Sequence, residues 1–520
     1  MPPLVAIALA LLLRQVIPAL FAGVWLGAWM VNGFTVAGLW SGLLDSFQVH
    51  ILRAMSNSDH VSVILFSLMI GGTVGIISRN GGLQGIVNRI VGWADSARHA
   101  CLATATMGLA VFFDDYANTL VVGNTMRPVT DSMRVSRAKL AYIVDSTAAP
   151  VSCIALVTTW IGYEVGLIGE AVSYIDGLDE EAYLIFLSSI PYSFYPLLAI
   201  AFVFMVAASG RDFGPMLASE RRAFEHGVDQ TESGQGAHGA DCEPIEAAEG
   251  KAHRAINAVA PIAVLVFGVL GGLYVTGTAS LGDRGAELRD IIGAADSYKA
   301  LMWASLLSMV TAAGLTLAQR IMDLQETVDA WYRGMRSMIY AMIILVLAWS
   351  LGGITDTLQT ADFLVSVLGD TLPVQLLPLL VFVIAAFTAF ATGSSWGAMG
   401  ILTPLVIPLA WAVMQKNGYT APADMHILYS SIAGILAGSV WGDHCSPISD
   451  TTILSSMASG CDHVEHVRTQ LPYAFLVGIV SLVTGSLPVA FGLPWWLGLL
   501  TGGAVLMAFL RVFGKQAGEV

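Results

Sequence analysis

The chain has 520 residues, 56% hydrophobic and 12% charged, with a mean hydropathy of +0.71 and a formal net charge of −14. Ordinary soluble proteins are roughly 45–50% apolar and about 25% charged, so a string of soluble domains is excluded and an integral membrane protein with about a dozen spans of ~20 residues is indicated. Much of the acid excess lies in loops, which argues against a dedicated acidic partner surface, and no nucleic-acid partner is expected. Cys101, Cys153, Cys242, Cys445 and Cys461 are scattered without a CxxC pair, so neither a disulfide framework nor a zinc cage is indicated.

Apolar segments lie near 4–31, 61–78, 100–126, 138–165, 183–207, 255–278, 299–318, 337–354, 373–412, 426–458, 471–492 and 495–512. The start, "MPPLVAIALALLLRQ", has no basic leader region or small-residue cleavage site and reads as mature membrane helix rather than signal peptide. One long polar stretch, 208–253, is biased to Gly, Glu and Ala and reads as a solvated linker between membrane halves at 1–207 and 254–520. Arg79, Arg89, Arg98, Arg127, Arg134, Arg137 and Lys139 gather at one set of boundaries, whereas "GLIGEAVSYIDGLDEEA" (166–182) has five acids and no Lys or Arg. The positive-inside rule makes the first set and the linker cytoplasmic. The topology that follows puts 18 of the 24 Lys and Arg inside, 5 outside and Arg14 within the membrane.

Arg98 and Arg127 then share a side, so the run between them should be a re-entrant hairpin with "FFDDYAN" (112–118) near its tip. Irregular backbone and carboxylates are tolerated at membrane depth only where protein or a water-filled cavity satisfies them. A second unit repeats the order. "MIGGTVGIISRNGG" (69–82) resembles "SLGGITDTLQTAD" (350–362), and "DSTAAPVS" (145–152) resembles "DHCSPISD" (443–450). Between them "FFDDYANTLVVGNTMRPV" lines up with "AFATGSSWGAMGILTPLV", ending on Pro128 and Pro404. The expected fold is an all-α integral membrane protein of about 11–13 helices in two inverted repeats (near 60–165 and 337–470), each with a re-entrant hairpin and a broken helix. Secondary transporters of that architecture place their sites at the midplane.

Four stretches carry the polar chemistry. "FDDYANT" offers Asp114, Asp115, Asn118 and Thr119, oxygen donors suited to a small, hard cation; a helix cap with a polar knot is the plainer reading. "DSTAAPVS" offers Asp145, Ser146 and Thr147, with Pro150 freeing backbone carbonyls, or else only a kink. Ser394 and Ser395 in "ATGSSWGAMG" allow close backbone approach, although helix packing would use the same small residues. "WGDHCSPISDTT" holds Asp443, His444, Ser446, Ser449 and Asp450, and a buried His beside a carboxylate can titrate near neutral pH; the alternative is a helix-terminal salt bridge. Na+ is assigned to a subset of these, Asp114, Asp115, Asp145, Asp443 and Asp450, and no cofactor is called for beyond that transported ion. Cys153 and Cys445 read as packing residues and Glu164 as a solvated interface residue. Arg14 is left between snorkelling and lining a vestibule.

"FFDDYANTLVVGNTMRPVTD", "SRAKLAYIVDSTAAPVS", "FATGSSWGAMGILTPLVIPLA" and "WGDHCSPISDTTILSSMASGCDHVEHVRTQLPYA" together resemble the NhaC family of Na+/H+ antiporters, within the ion transporter superfamily. The resemblance spans most of the chain outside the linker. It implies exchange of sodium, and of lithium, for protons by alternating access in the cell inner (plasma) membrane. The family also includes exchangers of organic anions such as malate and lactate with coupled cations, which is the alternative. Competition of Na+ and H+ for one desolvated carboxylate would give antiport. No HExxH, GxGD or nucleophilic Ser elbow supports an enzyme, and broken helices in repeats favour a carrier over a channel. Expected partners are Na+, H+ and the lipid bilayer, with a homodimer left open.

Overall fold

The computed structural model describes residues 2–518 apart from 14, 93, 176, 179, 229–244, 246, 249–250, 283–290, 292–293, 361–362 and 364–372. Among the described residues the chain is helical except for breaks, connections and one small antiparallel pairing, Arg211–Asp212 with Lys515–Gln516. Nine of the described helices are long and apolar enough to cross a membrane, and the bent pair Ala182–Tyr192 and Phe194–Ser209 makes a tenth. The protein is a multi-pass membrane protein. Several apolar segments do not become single spans, because polar residues within them break the helix.

The apolar segment 4–31 is the first case and forms two helices. Helix Pro2–Leu13 folds back along Val16–Val31, with Gly23 against Ala6 and Gly27 against Pro2. The sequence places Arg14 and Gln15 where a continuous span would hold them in lipid. The backbone instead turns extended at Gln15 (φ −141°, ψ 119°). Arg14 itself lies outside the described residues. Beside this turn, Val16 packs on Gly397.

Two further hairpins and two broken spans form the centre. The first hairpin is Ala97–Ala110 and Asp115–Ser132; the second is Leu377–Thr392 and Ser395–Lys416. Each second arm begins at a capped break: Asp114 accepts from the Ala117 N–H at 2.7 Å, and Ser394 from the Gly397 N–H at 3.3 Å. Pro128 stands as far from its cap as Pro408 does from Ser394, so Pro408 rather than Pro404 is the counterpart. The first broken span runs Arg137–Ser146, a turn at Ala149–Ser152, irregular chain over 153–160, then Ile161–Ser173. The second is Met425–Cys445, a break over 446–449, then Asp450–Ser459.

Tips and breaks meet pairwise. Gly108 lies on Thr147, where a Cβ would approach Oγ1 to 2.1 Å, and Gly393, with φ +66°, lies on the Ile448 carbonyl. Each hairpin arm also crosses to the other unit: Gly123 packs on Ala458 and Gly400 on the Tyr163 hydroxyl. The open end of the first hairpin is arginine-rich, with Arg127 and Arg137 against Gly460 and Arg98 against Gly210. At the open end of the second, Gln375 donates to the Tyr419 hydroxyl at 2.8 Å. The second broken span runs from beside Tyr419 to Gly460, so the two hairpins open toward opposite ends of the bundle.

The start of the expected linker is built into the arginine-rich end. Helix Gly214–His226 buries Ser219 and Glu220, and the buried Lys139 amine lies 2.7 Å from Asp212 and 3.4 Å from Glu220. Most of the biased composition belongs to 229–244, outside the described residues.

A glycine stripe sets the distance between the second hairpin and the second broken span. At Gly434, Gly438 and Gly442 a Cβ would come within 2.9, 2.4 and 2.1 Å of the Pro378, Phe382 and Ala386 carbonyl oxygens. These are backbone atoms that cannot rotate away, so the helices touch main chain to main chain, as small residues at every fourth position allow in lipid. Gly438→Val should therefore lower the unfolding midpoint in detergent, at a cost of about 1–3 kcal/mol or more, whereas Gly314→Val, with open space around its Cβ, should leave packing intact. A second outcome tests the hairpins. With native cysteines replaced, single cysteines at 98 and 127 should label from one side of sealed vesicles and those at 375 and 419 from the other; four positions labelling from one side would remove the opposed geometry.

Candidate ion-binding site

The breaks bring acids of both halves to one buried region. Asp145 ends the first half-helix and is fully buried, and side chains of the second half of the chain surround its carboxylate. Gln470 Nε2 donates at 2.5 Å, Ser455 Oγ at 3.2 Å and Thr452 Oγ1 at 3.3 Å, while His466 Nε2 stands 3.5 Å away. Asp443 Oδ2 accepts from Thr451 Oγ1 at 3.3 Å and from Ser395 Oγ at 3.4 Å, the latter reaching across from the second hairpin tip. Asp450 accepts from the Tyr116 hydroxyl at 2.5 Å and from its neighbour's Thr451 N–H at 2.8 Å. Charges on these acids act on one another through space: Asp115 on Asp114 and Asp450, Asp443 on Asp450 and Asp145.

The remaining sequence-selected residues divide into two groups. Asp115, Asn118 and Thr119 share one face of the first turn of the second arm. Asn118 Nδ2 ties the tip together by donating to the Gly108 and Thr147 carbonyls at 2.8 and 2.9 Å. By contrast, several hydroxyls are spent on main chain. Thr147 donates to the Ile143 carbonyl, Ser446 donates to the Phe390 carbonyl, and Ser394 caps a helix; Ser449 caps one too but its hydroxyl also meets Thr451 Oγ1 at 3.1 Å and faces Asp443. Asp114 is also a cap, the plainer of its two readings. Ser146 is buried beside Tyr142.

His444 is not the imidazole that faces a carboxylate. Its Nε2 lies 3.2 Å from the Asp145 main-chain oxygen and its Nδ1 2.9 Å from the Tyr195 hydroxyl. A neutral ring with the proton on Nε2 satisfies both contacts. The ring beside the carboxylate is His466, in a helix quoted for its family resemblance but given no role from sequence. His463, His466 and Gln470 share a helix face at i, i+3 and i+7, but Glu465, Arg468 and Thr469 lie between them, so the spacing alone does not mark His466 out from a polar helix start. Glu164 also differs from expectation: it is 1% exposed. Because the break over 153–160 consumes the middle of the span, Glu164 begins a half-helix instead of finishing a whole one.

Eleven buried side-chain oxygens have no hydrogen-bond partner among the described residues, and five of them belong to the residues of this region: Asp115 Oδ2, Asn118 Oδ1, Thr119 Oγ1, Asp443 Oδ1 and Gln470 Oε1. Buried polar atoms are almost always bonded, and each exception needs a reason. These five are oxygens, the chemistry of a hard cation, and both ring nitrogens of His466 beside Asp145 also lack a hydrogen-bond partner among the described residues. Among the described residues no three His, Cys, Asp or Glu side chains converge as a metal cage, so an ion here would need amide, hydroxyl or carbonyl oxygens beside at most two acids.

Residues 151–486 match the family described as the Na+/H+ antiporter family. The chain belongs to this family. The antiporter is 32% identical over 497 residues to an uncharacterised protein of Haemophilus influenzae, a match covering 94% of this chain and 90% of the relative. It is 28% identical over 183 residues to the malate-2H(+)/Na(+)-lactate antiporter of Bacillus subtilis, covering 33% of this chain and 35% of that one. Its fold is similar to that of the YdaH transporter of Alcanivorax borkumensis, with a TM-score of 0.55, 16% identity and coverage of 92% of this chain and 90% of that one.

The Tyr116 to Asp450 bond joins the first hairpin to the second broken span and makes a test of that junction. Tyr116→Phe should cost about 1–3 kcal/mol of stability in the native background. In an Asp450→Ala background it should cost less, with a coupling of about 0.5–3 kcal/mol, read from thermal unfolding of the four proteins in detergent.

Proposed function

We propose that the antiporter exchanges Na+ for H+ across the cell membrane, with Asp115 and Asp443 as the acids that meet the ion and Asp145 as the organiser of the site. The observation that carries this reading is the set of five unpartnered buried oxygens drawn from both halves of the chain, within a family of Na+/H+ antiporters. A dehydrated Na+ would supply the missing electrostatic partner to such oxygens. Protons would supply it when they neutralise the carboxylates, so the two cations compete.

Alternating access would use the paired contacts of tips and breaks. We further propose that the two units, each a hairpin and a broken span, are inverted repeats; their opposed openings and their matching contacts, Gly108 on Thr147 and Gly393 on Ile448, support this. Tilting one unit against the other would open the cluster to one face at a time. The arginine-rich end would be cytoplasmic by the positive-inside rule. Any net charge moved per cycle couples exchange to voltage by about 2.3 kcal/mol per 100 mV.

The relative that exchanges malate and lactate supports organic-anion exchange as a second reading. An anion site calls for a fixed positive group. Arg14 lies outside the described residues, and among the described ones no Lys or Arg is a leading influence on Asp115, Asp145, Asp443 or Asp450, which supports the inorganic cation.

The test is dequenching of a pH dye in everted vesicles on adding Na+, Li+, K+, malate or lactate. Na+ alone should release the gradient. If one proton shares the site, lowering the pH should raise the apparent KM for Na+ by up to about tenfold per pH unit with the maximal rate unchanged. Asp115→Asn and Asp443→Asn should each abolish exchange while the protein still inserts. A response to malate or lactate without any to Na+ would replace the first reading with the second.

A further inference from the structure

Glu164 stands apart from the acid cluster and no step above uses it. It lies in the first turn of helix Ile161–Ser173, 1% exposed, and neither carboxylate oxygen has a hydrogen-bond partner among the described residues. The titratable groups that face it are the Cys153 thiol, across the irregular segment, and the neighbouring Tyr163 hydroxyl. Among the described residues no Lys, Arg or His acts on it. An ionised carboxylate with no counter-charge and only a thiol as donor is very costly at such a place, so these surroundings accept the neutral acid. A buried neutral acid in a purely structural role ordinarily donates its O–H to an oxygen or nitrogen acceptor, and Glu164 has none among the described residues.

Its attachment explains how those surroundings would change. The Glu164 N–H donates to the Trp160 carbonyl at 3.0 Å. The Thr159 N–H donates to the Phe113 carbonyl at 2.9 Å, at the tip of the first hairpin, and the Tyr163 hydroxyl donates to the Trp396 carbonyl, at the tip of the second. Trp160 and Tyr163 also pack on the Trp396 ring, at 5.3 and 4.5 Å between centroids. Movement of either tip therefore drags residues 159–163 and with them Glu164. The buried Thr159 hydroxyl and Trp160 indole N–H lie toward Asp114 and Asp115, so the segment that leads into Glu164's helix also touches the acid pair at the first hairpin tip.

We infer that Glu164 is a second proton-binding site, separate from the cation cluster, which takes a proton from water on one face and releases it to water on the other as the hairpin tips move. The carboxylate gains one proton on loading and loses the same proton on release, with no other bond changed. The inference rests on the proton-coupled reading above and adds a carrier to it.

Two measurements test it in the full-length protein. Infrared difference spectra of purified protein, titrated in H2O and D2O, should show a protonated-carboxyl band that responds to pH in the wild type and is missing in Glu164→Gln. In vesicles, Glu164→Gln should keep Na+/Na+ exchange and lower the number of protons exchanged per cation, and Glu164→Asp should retain the wild-type ratio with a displaced pH profile. If Glu164 only fills space, Gln will be silent, and a wild-type pH profile and proton-to-cation ratio in that variant overturn the inference. So does a carboxyl band that never responds to pH. A wild-type protein that moves no protons with Na+ defeats the functional reading instead, and the infrared titration still decides for or against Glu164 as a proton site.

Discussion

Asp145 belongs to the first half of the chain, yet the side-chain donors bonded to its carboxylate belong to the second: Thr452, Ser455 and Gln470. A carboxylate at the end of a half-helix inside a membrane has no water to fall back on. The first broken span can therefore hold its break only if the second half is docked against it. The dependence is mutual, because Gln470 also donates to the His444 carbonyl at 3.0 Å and the Asp145 main-chain oxygen receives His444 Nε2. Removing either half would leave several buried polar groups unpaired at once, each worth about 1–3 kcal/mol.

The same requirement explains where the structure is tight and where it is loose. Far from the breaks, helices meet over small residues, and Gly434, Gly438 and Gly442 bring two backbones into direct contact. At the tips, the contacts are single hydrogen bonds and one-residue approaches, such as Gly108 on Thr147. A bundle with rigid arms and lightly held tips is suited to rocking without unfolding. Of the five unpartnered site oxygens, those of Asp115, Asn118, Thr119 and Asp443 lie at those tips and breaks, and that of Gln470 on the helix beside them. In the proposed rocking mechanism the site and the moving parts would be one region, which is what coupling of occupancy to access demands.

The sequence alone determined the solvent, the element type and the polar stretches. Mean hydropathy and charge density leave only a membrane bundle, because ~20-residue apolar runs with few charges have no other low-energy environment. Paired acids within such a run mark a buried site for the same reason, and Asp115, Asn118, Asp145, Asp443 and Asp450 were all visible in this way. The family was legible too, since the longest motifs contain those very breaks.

Tertiary structure alone decided which polar atoms are spent and which remain. Ser446 and Thr147 look as capable as Thr452 or Ser455 in the sequence, but their hydroxyls donate to main chain, Ser446 across to Phe390 of the second hairpin and Thr147 to its own helix, whereas Thr452 and Ser455 reach Asp145 some three hundred residues away. Which histidine faces a carboxylate was undetermined for the same reason. His444 adjoins Asp443 in the chain, but a helical turn points consecutive side chains roughly 100° apart, so the partner had to come from another helix, and it is His466. Local spacing specifies helices and their breaks because those depend on neighbours in sequence; the pairing of buried acids depends on contacts across the bundle, and only the packed fold sets them.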